Sequence, residues 1–396
     1  LLAPARGRDA AAHRVAAEIV AGVRRGGDRA LAAYARRFDG LDGPIEIPPR
    51  EARASAAQVS PAVRRALKQA ARHIRAVARR QVPKGWRLRI APGVSVESRV
   101  VPLERVGCYV PGGRYPLPSS LLMTAIPAQV AGVGDIVVMC PRPEPLVLAA
   151  AIEAGVSRIF RAGGAHAIAA LAYGTRTVPR VDRIVGPGNR FVAAAKALVA
   201  SDCAIDFHAG PTEIVIVAAR GPAAWVAADL LAQAEHDPDA RAVLITPSRT
   251  LAERVRREVA RQSPPDGPAR EALRRHGGII VTGGLREALA LANDAAPEHL
   301  VVETEAMARS VRCAGSVFVG PWTAQVAGDY AIGSNHVLPT AGAARARGGL
   351  SAADFVRQIT VQRVSRAGLA RIGNTVVALA RAEGLEGHAR SIEVRR

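Results

Sequence analysis

Apolar residues along the chain first follow the periodicity of helices. Two helical stretches are predicted, at residues 11–37 and 61–79, and Ser60 provides an N-cap for the second, with Pro61 at its first position. A pair of strands is predicted next, at residues 87–90 and 94–100. The chain therefore opens with helices, followed by two neighbouring strands.

From Arg105 onward, short apolar runs alternate with helical segments. The first series gives strands at residues 106–110, 136–139, 158–160 and 183–185, and the second gives strands at 213–217, 243–246, 279–281, 300–303 and 316–319. Alternation of this kind predicts βαβ units in parallel sheets. We predict an α/β fold with two similar Rossmann-like parallel-sheet domains and a small C-terminal tail domain of helical and extended segments.

The predicted domain boundaries follow from these two series. Residues 1–105 and 214–340 are assigned to a first α/β domain that includes the N-terminal helices, and residues 106–213 to a second. Residues 341–396 form the small C-terminal domain, which is too short to hold much of a core and is expected to dock on a second subunit.

Charge and composition narrow the classes of function. A net charge of +20 and a pI near 11.2 suggest nucleic-acid binding, but Lys occurs only at positions 68, 84 and 196 and the Arg residues are scattered. We therefore expect no nucleic-acid partner. No apolar run approaches the ~20 residues of a membrane span, and no signal peptide is visible. Four isolated cysteines without a C-x-x-C pair favour a reducing cytoplasm.

Several segments combine histidine with an oxygen-bearing side chain. Gln233 and His236 lie three residues apart at the end of a predicted helix, Glu298-His299 opens a strand, and Asp329 precedes His336 by seven residues. Each has an ordinary alternative as a helix end, a surface dipeptide or a loop, and His388 alone would be a solvated tail residue. Gathered together, they would form a metal site beside an acid–base pair.

Glycine-rich segments follow three predicted strands of the first series, at residues 111–113, 163–164 and 186–188. The carboxyl ends of parallel strands are where α/β sheets bind ligands. None of the segments is a G-x-G-x-x-G fingerprint, so an ordinary Rossmann phosphate loop is absent from the sequence.

Taken together, the motifs resemble the histidinol dehydrogenase family over nearly the whole chain. The matching stretches are residues 106–113 (VGCYVPGG), 186–189 (GPGN), 209–213 (AGPTE), 231–236 (LAQAEH), 297–300 (PEHL) and 335–340 (NHVLPT). Six ordered motifs are far more specific than any one of them.

The resemblance implies a zinc- and NAD-dependent enzyme that oxidises L-histidinol to L-histidine through L-histidinal, in two hydride transfers, as the final step of histidine biosynthesis. It assigns one Zn²⁺ per subunit to Gln233, His236, Asp329 and His388, with His388 supplied by the partner in a homodimer with shared active sites. In this scheme the domain of residues 106–213 binds NAD, and the domain containing 214–340 carries most metal and catalytic residues.

The resemblance also assigns individual roles. His299 is the base that takes the hydroxyl proton, and Glu298 activates the water that hydrates the aldehyde. NAD would contact Tyr109, His166 and Asn189. The substrate-binding positions would be Thr212, Gln233, His236, His299, Asp329, His336, Glu383 and His388.

Two positions depart from the family pattern. The family commonly has Gln where this chain has His166 and Ser where it has Thr212. An alternative is therefore a zinc- and NAD-dependent dehydrogenase of another polar alcohol, such as a sulfonated diol, with Arg345 or Arg347 facing the anion. A basic nucleic-acid-binding protein and an inactive relative are further alternatives, and the intact set of metal and catalytic residues disfavours both.

Overall fold

Helices and an antiparallel strand pair open the fold, as the sequence predicts. The structure, a computed structural model, describes residues 2, 9–112, 116–207 and 210–395. The first elements are α1 (Ala10–Tyr34), α2 (Pro49–Ala56), α3 (Pro61–Gln81), β1 (Trp86–Ala91) and β2 (Val94–Pro102). Ser60 accepts a hydrogen bond from the Val63 amide at the start of α3, which confirms the predicted cap.

A first five-stranded parallel sheet follows, in the order β5-β4-β3-β6-β7. Its strands are β3 (Arg105–Tyr109), β4 (Asp135–Met139), β5 (Arg158–Phe160), β6 (Arg183–Val185) and β7 (Ala204–Ile205). Its helices are α4 (Pro118–Ala131), α5 (Pro145–Glu153), α6 (Gly164–Tyr173) and α7 (Arg190–Val199). The central strand β3 is almost entirely buried, as expected for a parallel sheet covered on both faces.

A second parallel sheet has the order β10-β9-β8-β11-β12. Its strands are β8 (Glu213–Val217), β9 (Arg241–Thr246), β10 (Gly278–Val281), β11 (His299–Val302) and β12 (Ser316–Val319). Its helices are α8 (Ala223–Ala234), α9 (Arg249–Gln262), α10 (Pro268–His276), α11 (Leu285–Ala295), α12 (Glu305–Ala308) and α13 (Gln325–Tyr330). In both sheets the first strand in sequence is central and lies between the second and the fourth, so the prediction of two similar Rossmann-like sheets is confirmed.

The C-terminal segment pairs with the beginning of the chain. Strand β13 (Val356–Val364) runs antiparallel to β2 along its whole length, from the pair Val356–Pro102 to the pair Val364–Val94. Helices α14 (Arg366–Ala382) and α15 (Glu386–Glu393) complete the fold. Strand β13 of the tail thus forms a three-stranded sheet with β1 and β2.

The N-terminal helices pack on the first sheet, and not on the second as the grouping of residues 1–105 with 214–340 predicts. Helix α1 lies against α6 and α7, α2 against α5, and α3 against α4. The reason is compositional: α4 and α6 contain no Asp, Glu, Lys or Arg and are buried almost throughout, so they need a second layer of helices over them. No helix in the described part of the chain is long and apolar enough to cross a bilayer.

Candidate active site

The amino ends of β8 and β11 bring two polar dipeptides together. These strands are parallel neighbours, with His299 opposite Ile214. Thr212 and Glu213 therefore lie beside Glu298 and His299 at one edge of the second sheet. The strand pairing alone explains why residues more than 80 positions apart meet.

Glu298 is buried and held by two hydrogen bonds. The Thr212 hydroxyl donates to its Oε2 at 2.5 Å and the Glu213 amide donates to the same oxygen at 2.9 Å. Burial raises the pKa of Glu298 to about 8; the nearby Asp329 charge also raises it, whereas the two hydrogen bonds lower it. The group can therefore exchange a proton near neutral pH.

His299 is only 4% exposed and has a fixed orientation. Its Nδ1 lies 3.1 Å from the Glu213 carbonyl oxygen. Because a carbonyl only accepts, Nδ1 must be the donor, and in the neutral ring Nε2 keeps its lone pair. Burial lowers the pKa of His299, which favours this neutral form.

Gln233 connects the end of α8 to the same cluster. Its Nε2 donates to the Thr212 hydroxyl, which extends the chain of hydrogen bonds to Glu298. Its Oε1 is buried and has no hydrogen-bond partner in the described part of the chain. His236 follows on the exposed rim, close enough to contribute to lowering the pKa of His299.

Asp329 lies on α13 at the other side of the cluster. Its Oδ2 accepts a hydrogen bond of 2.9 Å from Gln325 Nε2. Burial raises the pKa of Asp329, whereas His299, the hydrogen bond from Gln325 and His236 lower it, so Asp329 lies within electrostatic range of both histidines. Gln233, His236 and Asp329 therefore lie around Glu298 and His299.

His336 joins the site from the loop after α13. Its Nδ1 lies 3.2 Å from the Asp329 carbonyl oxygen, and its Nε2 lies 3.5 Å from Ser120 Oγ. Burial lowers the pKa of His336 to about 4, so the ring is neutral at physiological pH. The adjacent Asn335 donates to the Met123 carbonyl at 2.7 Å. Because Ser120 and Met123 belong to α4, these contacts join the cluster to the first sheet.

Two predicted site residues do not join the cluster within one chain. His388 and Glu383 are exposed on the tail, where α15 packs against α14. Among the described residues, no three His, Cys, Asp or Glu side chains are close enough together to hold a metal ion. Within one chain, Gln233, His236 and Asp329 therefore lie near Glu298 and His299, whereas the two tail residues do not.

The predicted cofactor residues lie at the carboxyl edge of the first sheet. Tyr109 ends β3, and its hydroxyl accepts from the Gly164 amide at 3.1 Å, at the start of the helix that carries His166. Asn189 caps α7 after β6. Gly186 has φ +117°, and a Cβ there would lie 2.1 Å from the Tyr109 carbonyl oxygen, so only glycine fits. Gly113 and Ala209, which belong to two of the motifs, lie outside the described residues.

Asp39 is a residue of this region that sequence analysis missed. It ends a π-helical turn (Ala35–Asp39) and lies 2.8 Å from His166 Nε2, while the Gly163 amide donates to the same carboxylate oxygen at 2.8 Å. His166 Nδ1 is buried without a hydrogen-bond partner among the described residues. Sequence distance hid this contact, as it hid the contact between Ser120 and His336.

Arg345 and Arg347 are already engaged elsewhere. Arg345 donates to the Asp294 carbonyl, and Arg347 donates to the Asp206 carbonyl and stacks over the Phe207 ring at 4.7 Å. The hydrogen bonds of both guanidinium groups are thus made outside the cluster around Glu298.

Known proteins resemble this chain in sequence and in structure over its whole length. The family model for histidinol dehydrogenase matches residues 4–396. The histidinol dehydrogenase of Methylococcus capsulatus is 45% identical, with 100% of this chain and 94% of that protein covered. That of Methanothermobacter thermautotrophicus is 45% identical over 96% of this chain and 92% of its own length. The crystal structure of histidinol dehydrogenase from Elizabethkingia anophelis has 34% identity and a TM-score of 0.95, over 100% of this chain and 94% of that one.

These likenesses define the protein as an oxidoreductase that acts on a CH–OH group with NAD. The chain belongs to the histidinol dehydrogenase family.

Proposed function

We propose that this protein catalyses the NAD-dependent oxidation of L-histidinol to L-histidine through the aldehyde, with zinc as its metal, as the last step of histidine biosynthesis. Family membership supports the reaction. The single observation that carries the mechanism is the hydrogen bond from His299 Nδ1 to the Glu213 carbonyl, because it leaves Nε2 as a fixed, neutral base.

His299 would remove the proton from the substrate hydroxyl while hydride leaves the same carbon. Its depressed pKa keeps the ring ready to accept a proton at neutral pH. The Glu213 carbonyl then stabilises the imidazolium that forms, since Nδ1–H still donates to it. Orientation and protonation state thus have one structural origin.

Glu298 would act in the second half of the reaction, on the water that hydrates the aldehyde. A pKa of about 8 lets it take that proton near neutral pH. Thr212 and the Glu213 amide hold one oxygen of the carboxyl group, which leaves the other for water. Two adjacent residues can therefore serve two successive proton transfers.

The donor set fits a zinc ion. Gln233 Oε1 is a buried acceptor without a hydrogen-bond partner in the described structure, and the buried Asp329 carboxylate has a raised pKa, so both would gain from a cation. His236 lies at the rim on the same helix end. Bound there, zinc would anchor and orient the substrate's imidazole and amine nitrogens. The fourth protein ligand is proposed to be His388 of the partner subunit.

A homodimer with shared sites is supported by the exposed apolar face of the three-stranded sheet. Trp86, Leu88 and Ile90 alternate along β1 and are 53%, 53% and 59% exposed, so they lie on one face. Leu379 and Val394 on the tail helices are also largely exposed. Such a surface favours association with a second copy, which would bring a tail to each site.

NAD is proposed to bind across Tyr109, His166 and Asn189 at the carboxyl edge of the first sheet. Helix α4 continues from this edge to the His336 loop of the second sheet, which supports a cofactor placed next to the acid–base pair. His166 replaces the family's usual Gln and can donate or accept through its free Nδ1.

Histidinol is favoured over an anionic alcohol because both candidate arginines are engaged elsewhere. The test is to count NADH formed per substrate consumed by the zinc-loaded protein, with a chelated control. Two NADH per histidinol, abolished by chelation, is the expected result. Bound zinc and NAD without turnover of histidinol would favour the other polar alcohols, such as sulfonated diols.

A further inference from the structure

A cavity lies at the carboxyl edge of the second sheet, opposite the edge that carries the candidate active site. It has a volume of about 530 Å³ and extends from the ends of β8 and β11 to the first half of α8. Trp225, Trp322, Arg220, Asp229 and Glu303 provide its aromatic and charged lining. Its position corresponds to the crevice where sheets of this topology bind ligands.

Two tryptophans form an aromatic platform at this cavity. The rings of Trp225 and Trp322 lie 5.1 Å apart, centroid to centroid, at an angle of 53°. Trp225 is 43% exposed and Trp322 is 84% exposed. Large indole surfaces left in water beside a concave apolar wall indicate a ligand that is planar and stacks.

The charges of the cavity disfavour a phosphate. In a nucleotide-binding sheet, the loop after the first strand gives its backbone amides to the phosphates. Here the amides of Ala219 and Arg220 both donate to Glu303 Oε1, at 2.8 and 2.6 Å. A phosphate would have to displace this carboxylate and approach Asp229 as well, so the Arg220 side chain at the exposed rim does not make a phosphate site.

Asp229 gives the cavity a negative group whose carboxylate pairs with no cationic side chain among the described residues. No hydrogen bond or ion pair to its side chain is found among the described residues, and burial alone raises its pKa to about 6. At neutral pH the carboxylate is therefore ionised in a half-buried, largely apolar wall, which is unfavourable unless a cation pairs with it.

We propose that this cavity binds a small planar aromatic cation, such as an amidinium or a protonated heteroaromatic amine, with its ring against Trp225 and Trp322 and its charge towards Asp229. Stacking and cation–π attraction act on the ring, and the carboxylate selects the charge. The proposed substrate site lies at the opposite edge of this sheet, and the proposed NAD site lies on the first sheet. The cavity is therefore separate from both.

The test uses tryptophan fluorescence in a Trp86→Phe background. The chain has three tryptophans, so this change leaves only the pair at the cavity. Benzamidine, a planar cation, and benzamide, its neutral counterpart, are titrated at neutral pH. Benzamidine is expected to quench the emission in a saturable way and to bind roughly tenfold more tightly than benzamide.

Asp229→Asn should abolish the preference for benzamidine, whereas Asp266→Asn, which removes an exposed carboxylate elsewhere, should keep it. Trp322→Ala should weaken both ligands, and because this side chain is 84% exposed, its removal leaves the core intact. Equal binding of the two ligands to the parent, an unchanged preference in Asp229→Asn, or no saturable quenching at all would each overturn the proposal.

Discussion

The two parallel sheets share one strand order and differ in which edge carries polar chemistry. In the first sheet, Tyr109 and the glycine-rich turns lie at the carboxyl edge, where α/β sheets commonly bind ligands. In the second sheet, Glu298 and His299 lie at the amino edge. The comparison teaches that the topology determines which strand ends are neighbours, whereas the residues at those ends determine which edge of the sheet gathers reactive side chains.

The loops after the central strands explain much of this difference. After β3, Gly112 lies so close to Pro141 that a Cβ would be 2.2 Å from its Cγ, so only glycine fits there. After β8, the corresponding amides are occupied by Glu303. In the second sheet, the amides at this position are thus bound to a carboxylate of the same chain and are not available to a phosphate.

The largest effect is expected from His299→Ala, at the amino edge of the second sheet. Turnover should fall roughly 10²–10⁴-fold, as for loss of a general base, while zinc and histidinol still bind. Steady-state kinetics with metal analysis measures this, and His13→Ala on α1 is the control. Turnover within threefold of the parent would remove His299 from the proposed mechanism.

The second effect concerns stability in the chelated protein. Because the pKa of Glu298 is raised from 4.5 to about 8, the unfolded chain loses this proton first. The stabilisation is therefore fully present below pH 4.5 and is lost as pH rises through about 8. Glu298→Gln has no such proton to lose. The difference between its free energy of unfolding and that of the parent should therefore grow by about a few kcal/mol in favour of the variant as the pH rises from 4.5 to about 8.

Urea unfolding at several pH values measures this difference, with Glu305→Gln as an exposed control that keeps the parent's slope. Burial and Glu298 raise the pKa of Glu213 to about 7, which acts in the same direction, so a smaller slope remains in the variant. Parallel curves for parent and Glu298→Gln would show that this carboxyl group is not protonated on folding.

A third effect tests the carboxyl edge of the first sheet. Asp39→Asn weakens the contacts that hold His166 and the Gly163 amide, so the KM for NAD should rise roughly tenfold with little change in kcat. Asp42→Asn, an exposed neighbour, should match the parent. A fall in kcat at unchanged KM would instead connect this edge to the chemical step.

A fourth, smaller effect tests the shared site. Subunits carrying His388→Ala are coexpressed with subunits carrying His299→Ala, each inactive alone. If the tail acts in trans, half of the dimers are mixed and each has one intact site, so activity should reach about one quarter of the parent's. The measurement is the specific activity of the coexpressed mixture. No recovery of activity over the two single variants would show that the tail does not complete the site of the partner subunit.

The smallest effect is expected at the carboxyl edge of the second sheet. Asp229→Asn and Trp322→Ala should turn over histidinol within about twofold of the parent, because this cavity and the amino edge are at opposite ends of the same strands. A large loss of turnover in either variant would show that the two edges act as one site.

Much of this architecture can be predicted from the sequence. Apolar runs and helical periodicity locate the strands of both sheets except β7, whose two residues are too few to show a pattern. The motifs around Gln233, Glu298 and Asp329 identify residues that the structure gathers. Short-range patterns cannot reveal partners that meet only after folding, which is why the Asp39–His166 contact and the Ser120–His336 contact were missed.

The packing of the N-terminal helices could have been anticipated from composition. Helices α4 and α6 contain no Asp, Glu, Lys or Arg, whereas α9 has Arg and Glu along its outer face. A helix that is apolar all round needs cover, and the amphipathic helices α1 and α3 provide it. The order of elements alone suggested a different grouping.

The pairing of β2 with β13 has a consequence for how the chain is made. The first sheet and its covering helices can assemble while synthesis continues, but β2 gains β13 as a neighbour only when residues 356–364 have left the ribosome. Until then β2 has an open hydrogen-bonding edge, which is a template for aggregation. A premature stop before residue 356 should therefore yield an insoluble nascent chain rather than a shortened enzyme.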